Sequence, residues 1–274
     1  MAVTDLLVII TAVLLNRIPG IYFPSSFLSI TPVCSLMISL IYASRDCSVW
    51  LTVVFTVDRF VVICCPRLKR KYCTEKMAII IIGTVCTAGC LKSIPWYFLH
   101  EPIYIMNNIP WHCKMKEIFY TSPVWGAFLW IDCIVTPCLP FFLIILLNAL
   151  TVRFILAANR NHRRLRAQII RENQNDTELE NRRKSIILLF AVSGSFILLW
   201  MTYVVYYFHR LLFPHYLING FSDPQFILQE SANMLQLLSC CTNTFIYVVT
   251  QSKFRQELKN MVEYPLNLLP KLSR

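Results

Sequence analysis

Hydrophobic positions fall into six long runs, roughly residues 2–16, 34–65, 77–99, 121–157, 184–208 and 224–250. Five of them exceed the ~20 residues that a bilayer-spanning helix requires. The first is shorter and begins at Met1. It has no basic leader and no small-residue cleavage site, so it reads as a spanning helix whose start is missing, and not as a signal peptide. The one extended polar stretch, Asn159 through Arg183, predicts a helical extension followed by a mobile loop. After the last run, Phe254, Leu258, Met261 and Val262 recur among charges, a pattern that predicts a short amphipathic helix on a membrane surface. The pattern divides the chain into a transmembrane bundle over 1–250 and an amphipathic helix with its tail over 251–274. No internal repeat and no soluble domain is visible.

Composition agrees with the pattern. Of the 274 residues, 56% are hydrophobic and 15% charged, against ~45–50% and ~25% in soluble domains. Charge then orients the runs. The stretches 66–76, 153–184 and 251–274 hold nineteen Lys and Arg, while 17–33, 98–123 and 209–223 hold four. Basic residues mark the cytoplasmic face, so the chain is expected to start and end inside, in the plasma membrane. The net charge of +11 then reflects topology and anionic lipid, and a nucleic-acid partner is not needed to explain it. Asn175-Asp176-Thr177 matches a glycosylation sequon on the inner side and is discounted.

Most of the 12 cysteines lie inside apolar runs, where a free thiol behaves as a small hydrophobe. Cys34 and Cys113 are the two that fall on the oxidising outer side, and they are expected to pair. Cys64, Cys65 and Cys73 fall inside, where S-acylation is chemically open to them. Asp58-Arg59-Phe60 closes the second run just before Arg67, Lys69, Arg70 and Lys71. An adjacent acid and arginine at a membrane edge are costly unless used. Asp58 can hold Arg59 by a charge-assisted hydrogen bond.

These residues, in this order and spacing, resemble the class A (rhodopsin-like) G-protein-coupled receptors. The chain is most similar to the probable G-protein coupled receptor 139 and 142 group, through Leu91-Lys-Ser-Ile-Pro95, Ala232-Asn-Met-Leu-Gln-Leu-Leu238, Asn243-Thr-Phe-Ile-Tyr247 and Lys253-Phe-Arg255. The resemblance implies an all-α seven-helix architecture whose first helix is missing here. It also implies coupling to a heterotrimeric G protein, of the Gq class, for a small extracellular ligand such as an aromatic amino acid or short peptide. Asp58-Arg59-Phe60 stands for the family's Asp-Arg-Tyr. Phe196 and Trp200, four residues apart on one helix face, stand for its aromatic switch. Asn243 through Tyr247 stands for Asn-Pro-x-x-Tyr. Thr202 replaces a usual proline, so the sixth family helix should kink less, and Thr244 replaces the proline of the Asn-Pro-x-x-Tyr motif. Asn148 replaces a usual Tyr and is expected to weaken an active-state hydrogen bond to Tyr247. Asp5, Ser48 and Asn243 make a candidate sodium site of oxygen ligands.

Ionisable residues also collect in the outer half of the runs. They are Arg45, Asp46, Asp132, His209, Arg210 and Glu230, with Asn233 and Trp200 nearby. Intramembrane ionisable groups are functional candidates. Arg45 is suited to a carboxylate, and Asp46, Asp132 or Glu230 to an ammonium. The plainer alternative pairs Arg45 internally with Asp132 or Glu230. Lys92 is expected to snorkel to the outer interface.

Other readings are a six-span transporter, which would show repeated halves and broken helices, and a truncated receptor that does not signal or that associates with a full-length partner by helix pairing. No zinc-ligand helix, phosphate-cradling glycine loop or Ser-His pairing points to an enzyme, and no cofactor is expected beyond the candidate sodium ion.

Overall fold

The computed structural model describes residues 2–65, 67–69, 73–166, 176–213, 220, 222–250, 254–257 and 259–261. It is a bundle in which, among the described residues, six helices are long and apolar enough to cross a membrane. α1 spans Ala2–Tyr22 and passes through a π-helical stretch, Ile10–Arg17. It outruns the apolar pattern because Arg17 lies within the helix, its charge met by Glu230. α2 is Thr31–Cys64, with Pro32 in its first turn, where a missing N–H costs nothing. α3 is Glu75–Phe98, capped by the Thr74 hydroxyl, which accepts from the Met77 N–H.

Residues 100–115 then form two short antiparallel ladders. β1 (His100–Glu101) pairs with β4 (Lys114–Met115), and β2 (Tyr104–Met106) with β3 (Ile109–Trp111). The inner hairpin turns at Asn107 and Asn108, both at positive φ, a conformation Asn tolerates in tight turns. α4 is a single turn, Ile118–Thr121. α5 starts at Pro123, loosens into a π turn over Ile134–Cys138 that contains Pro137, and continues as Leu139–Arg166. α6 is Asp176–Leu212 and α7 is Pro224–Thr250. Residues 254–257 and 259–261 are helical, within the segment expected to be amphipathic. Ser252, Leu258, Val262 and the rest of the tail lie outside the described residues, as do Arg70, Lys71 and Asn175.

α2 is the axis of the bundle. Half of its most apolar window is buried, against 11% for α3, and it packs on α1, α3, α5 and α6. α3 instead turns Ile79, Ile80, Leu91, Ile94 and Phe98 outward, the all-apolar surface a lipid-facing helix needs. The core between α2, α5, α6 and α7 contains Val49, Val53, Phe141, Ile144, Phe196, Trp200, Tyr203 and Ala232. Cys34 at the start of α2 is bonded to Cys113. This fixes the 100–115 ladders to one end of the bundle, the disulfide end. The opposite, basic end carries Arg59.

Candidate functional site

Helix geometry brings the polar candidates together. Arg45 and Asp46 are adjacent on α2, Lys92 is on α3, Asp132 and Thr136 are one turn apart on α5, and Tyr203 and Tyr207 are one turn apart on α6. All lie in the half of the bundle nearer the disulfide. Lys92 does not snorkel. Its ammonium reaches inward to Asp46 Oδ2 at 2.6 Å and Asp132 Oδ1 at 2.5 Å. Two buried carboxylates outweigh a short reach to the interface, because each would otherwise be an unpaired charge in a water-poor interior.

The two acids are fully occupied. The Thr136 hydroxyl accepts from Lys92 and donates to Asp46 Oδ1 at 3.0 Å. The Tyr207 hydroxyl donates to Asp132 Oδ2 at 2.7 Å. Every carboxylate oxygen of Asp46 and Asp132 therefore accepts a hydrogen bond.

Arg45 is different. It is 6% exposed, and its Nη1 donates to the Tyr203 hydroxyl at 2.7 Å. Its guanidinium lies 4.4 Å from the centre of the Tyr42 ring and 5.0 Å from that of Tyr203, cation–π geometry in a desolvated place. Nε and Nη2 are buried with no hydrogen-bond partner. Arg45 thus pairs with neither Asp132 nor Glu230, the two internal partners its sequence position suggested. Asp132 belongs to Lys92, and Glu230 is bonded to Arg17 of α1. An ammonium at Asp46, Asp132 or Glu230 would have to displace a resident lysine or arginine.

The His209 ring meets that of Phe213 at a tilt, with centroids 4.8 Å apart. It borders a cleft of about 150 Å³ with Pro224, Gln225 and Leu228. That cleft does not include Arg45. Asn233 is half-buried on α7, three residues beyond Glu230.

Trp200 and Phe196 stack at 5.2 Å, and Trp200 meets Tyr203 edge-on at 5.5 Å. The replacement of proline by Thr202 leaves α6 unbroken from Asp176 to Leu212. Asp5 is buried between α2 and α7. Ser48 donates to its Oδ1 at 2.5 Å and Asn243 Nδ2 to its Oδ2 at 3.2 Å. At the basic end, Arg59 Nε donates to Asp58 Oδ2 at 2.9 Å, with Phe60 half-buried beside them. The Arg59 guanidinium lies 5.5 Å from the Phe55 ring centre, and Phe55 meets Tyr247 edge-on at 5.9 Å. Tyr247 in turn contacts Phe254 at 6.0 Å. Asn148 leaves its Oδ1 buried without a hydrogen-bond partner.

Sequence reasoning missed Tyr203, Tyr207, Thr136 and Tyr42. A signal existed for the first three. Tyr203 and Tyr207 follow Trp200 at three and seven residues, and Thr136 follows Asp132 at four, so each shares a helix face with a residue already singled out.

Comparison with known proteins adds two findings. The sequence model of the 7 transmembrane receptor (rhodopsin family) matches residues 1–247. The chain is also similar to the Probable G-protein coupled receptor 142 of Mus musculus, 23% identical over 222 residues, covering 81% of this chain and 52% of that protein. The chain thus spans about half the length of this curated relative.

Proposed function

The chain belongs to the rhodopsin family of seven-transmembrane receptors, and on that premise we propose that it is a G-protein-coupled receptor in the plasma membrane. The disulfide end faces outward and admits a small ligand. The basic end and the C-terminus face the cytoplasm, where Arg59 engages a heterotrimeric G protein of the Gq class. The ligand is an aromatic amino acid or a short peptide. Its carboxylate meets Arg45, and its ring meets the aromatic walls.

One observation carries this reading. Arg45 is hydrogen-bonded to Tyr203, Tyr203 meets Trp200, and Trp200 stacks on Phe196, so the unpaired cation is in packed contact with the aromatic core. A ligand that engages Arg45 would favour one arrangement of that column over another and shift a two-state bundle. Asp58, which holds Arg59, is the latch at the other end. Asn148 and Tyr247 border the helices that would separate there.

Asp5, Ser48 and Asn243 also suit a sodium ion. Asn243 Oδ1 is a buried acceptor without a partner, beside a buried carboxylate and a hydroxyl, and a hard cation prefers such oxygens. When bound, the ion would neutralise Asp5, and Ser48 and Asn243 would orient that carboxylate.

The test is the calcium response of cells expressing the receptor to L-tryptophan and L-phenylalanine, with Arg59→Ala at equal surface level. A response that the variant abolishes is expected. A response that persists removes Arg59 from the mechanism, and the lack of any G-protein activation by the unaltered receptor rejects the reading.

A further inference from the structure

The α-helical register of α5 is broken over Ile134–Cys138, a π turn in which the Leu139 N–H bonds the Ile134 carbonyl five residues back. Pro137 lies inside the turn and accounts for it. Proline has no N–H, so the Cys133 carbonyl, four residues earlier, lacks its α-helical donor, and the chain relieves this by widening. The widening changes which side chains meet. In an α-helix, residues five apart point about 140° away from each other. In a turn closed by i→i+5 bonds, the fifth residue stands nearly over the first. Cys133 and Cys138, at the two ends of this turn, are thereby brought together, and their Sγ atoms lie 3.9 Å apart. Cys133 is 1% exposed, and Cys138 is half-buried against the same core.

We propose that Cys133 and Cys138 form a modification site, a dithiol that hydrogen peroxide, a small neutral oxidant, converts to an intrahelical disulfide across the π turn. The two sulfurs have to close from 3.9 Å to the ~2.05 Å of an S–S bond. The Cys138 thiol, the more accessible of the two, loses its proton, and its sulfur attacks one peroxide oxygen. The O–O bond breaks and a sulfenic acid forms on Cys138. The other oxygen leaves as hydroxide, takes that proton and becomes water. The Cys133 sulfur then attacks the sulfenic sulfur. The S–S bond forms, the S–O bond breaks, and the departing hydroxide takes the Cys133 proton to give a second water. In sum, two thiols are oxidised by the loss of two hydrogens, and one peroxide is reduced to two waters.

A buried free cysteine is ordinarily a small hydrophobe. Packing alone asks nothing of the helix register, whereas this sulfur contact depends on the π register. A soft metal ion held by the pair would need two thiolates in a water-poor interior, which is costly. A disulfide is neutral and carries no such cost. The bridge also holds a turn that the bundle uses. Thr136 lies inside it, with its hydroxyl donating to Asp46 Oδ1 at 3.0 Å. Asp132 directly precedes Cys133 and is bonded to Lys92 and Tyr207. A covalent link from Cys133 to Cys138 keeps the turn in its π register, and with it the direction of both side chains.

The experiment treats the purified whole chain with hydrogen peroxide at a dose that oxidises free cysteine in the same sample. Remaining thiols are blocked with N-ethylmaleimide in denaturant, and the protein is digested with trypsin. Cleavage after Lys116 and Arg153 releases residues 117–153, which contain Cys133 and Cys138 and no other cysteine. The expected product is this peptide without a maleimide, lighter than the dithiol by two hydrogens and returned to the dithiol by dithiothreitol. In Cys133→Ser the reaction stops at a sulfenic acid on Cys138, which dimedone captures. Pro137→Ala returns a donor to the Cys133 carbonyl, so the α register competes. The bridge should then form about tenfold more slowly, with both thiols still present. The inference is overturned if residues 117–153 keep two maleimides after peroxide, if either cysteine is found bridged to another peptide, or if Pro137→Ala bridges as fast as the parent. The assay reads no signalling, so its outcome is independent of the receptor reading.

Discussion

The guanidinium of Arg59 is held by Asp58, the residue immediately before it, with Nε 2.9 Å from Asp58 Oδ2. The pair is part-exposed, with side chains 28% and 34% accessible, and such pairs contribute about 0–1 kcal/mol. A latch this weak should set the basal level of the receptor without determining its fold. Asp58→Asn is expected to raise basal G-protein activation up to about fivefold, the factor that ~1 kcal/mol provides. Inositol phosphate accumulation at matched surface level measures it. An unchanged basal level would mean that Asp58 does not restrain Arg59.

The same carboxylate also governs a thiol. Cys73 lies beyond the basic end of α2, and burial, then a hydrogen bond to Asp58, push its thiol up from the ordinary cysteine value. The neutral thiol is favoured because it donates to the carboxylate, so alkylation should require a pH above the ~8.5 typical of free cysteine. The negative charge of Asp58 adds to both, and in Asp58→Asn that charge disappears while burial remains. Iodoacetamide labelling of Cys73, mapped by mass spectrometry at pH 8, should then speed up without reaching the rate of a free thiol. Identical rates in both proteins would break the link between Asp58 and Cys73.

Much of this arrangement was legible in the sequence, for reasons that differ between residues. The spans were visible because a helix in lipid must be apolar over its length, and the six runs coincide with six helices. The Cys34–Cys113 bond followed from topology alone. The side of α3 that faces inward was not visible. That helix is apolar all round, so Lys92 was assigned to the interface by proximity. Its direction is fixed by Asp46 and Asp132 on other helices, and no periodicity within α3 records them. The Arg17–Glu230 pair escaped for the same reason, since its partners are 213 residues apart. Arg45 was singled out as a candidate by its place in an apolar run, but its unpaired edge depends on Lys92 having taken both acids.

Close packing of α2 on α3 makes a prediction at Gly89. A Cβ there would lie 2.9 Å from Cys47 Sγ and 3.6 Å from the Ala43 carbonyl. Cys47 is buried, and its thiol points toward the Cys86 carbonyl at 3.8 Å, so it has little room to yield. Gly89→Ala should destabilise the receptor by about 1–3 kcal/mol, the usual cost of overpacking. Cys47→Ala combined with Gly89→Ala should recover most of the loss. Thermal unfolding of the purified variants decides it, and a single variant as stable as the parent would show that the two helices are free to separate.

Lys92 should be more costly to remove alone than with an acid. Lys92→Met leaves Asp46 and Asp132 buried with one cation fewer, and breaking a buried pair in this way costs about 3–5 kcal/mol. Lys92→Met with Asp132→Asn removes one charge of each sign and should regain a large part of that cost. The coupling from the double-mutant cycle is expected to exceed 1 kcal/mol, within the ~0.5–3 kcal/mol found for contacting residues. Additive losses would mean that the ammonium and the carboxylate do not interact.

His100 predicts a dependence of stability on pH. It opens β1 at the end of α3, 9% exposed, with Nδ1 2.8 Å from the Trp96 carbonyl. Burial lowers its pKa from the ordinary histidine value. The Trp96 carbonyl opposes this, and Lys116 adds to it. The unfolded chain therefore takes up a proton near pH 6.5, before the folded one does. Stability from neutral His100 is complete above that pH and is lost as pH falls through the lower folded value. The thermal midpoint of the receptor should accordingly drop between pH 7.5 and 5. His100→Gln, which cannot titrate, should show a smaller drop over the same interval. Equal slopes in the two proteins would exclude His100 as the group responsible and leave its burial without a measurable consequence for pH.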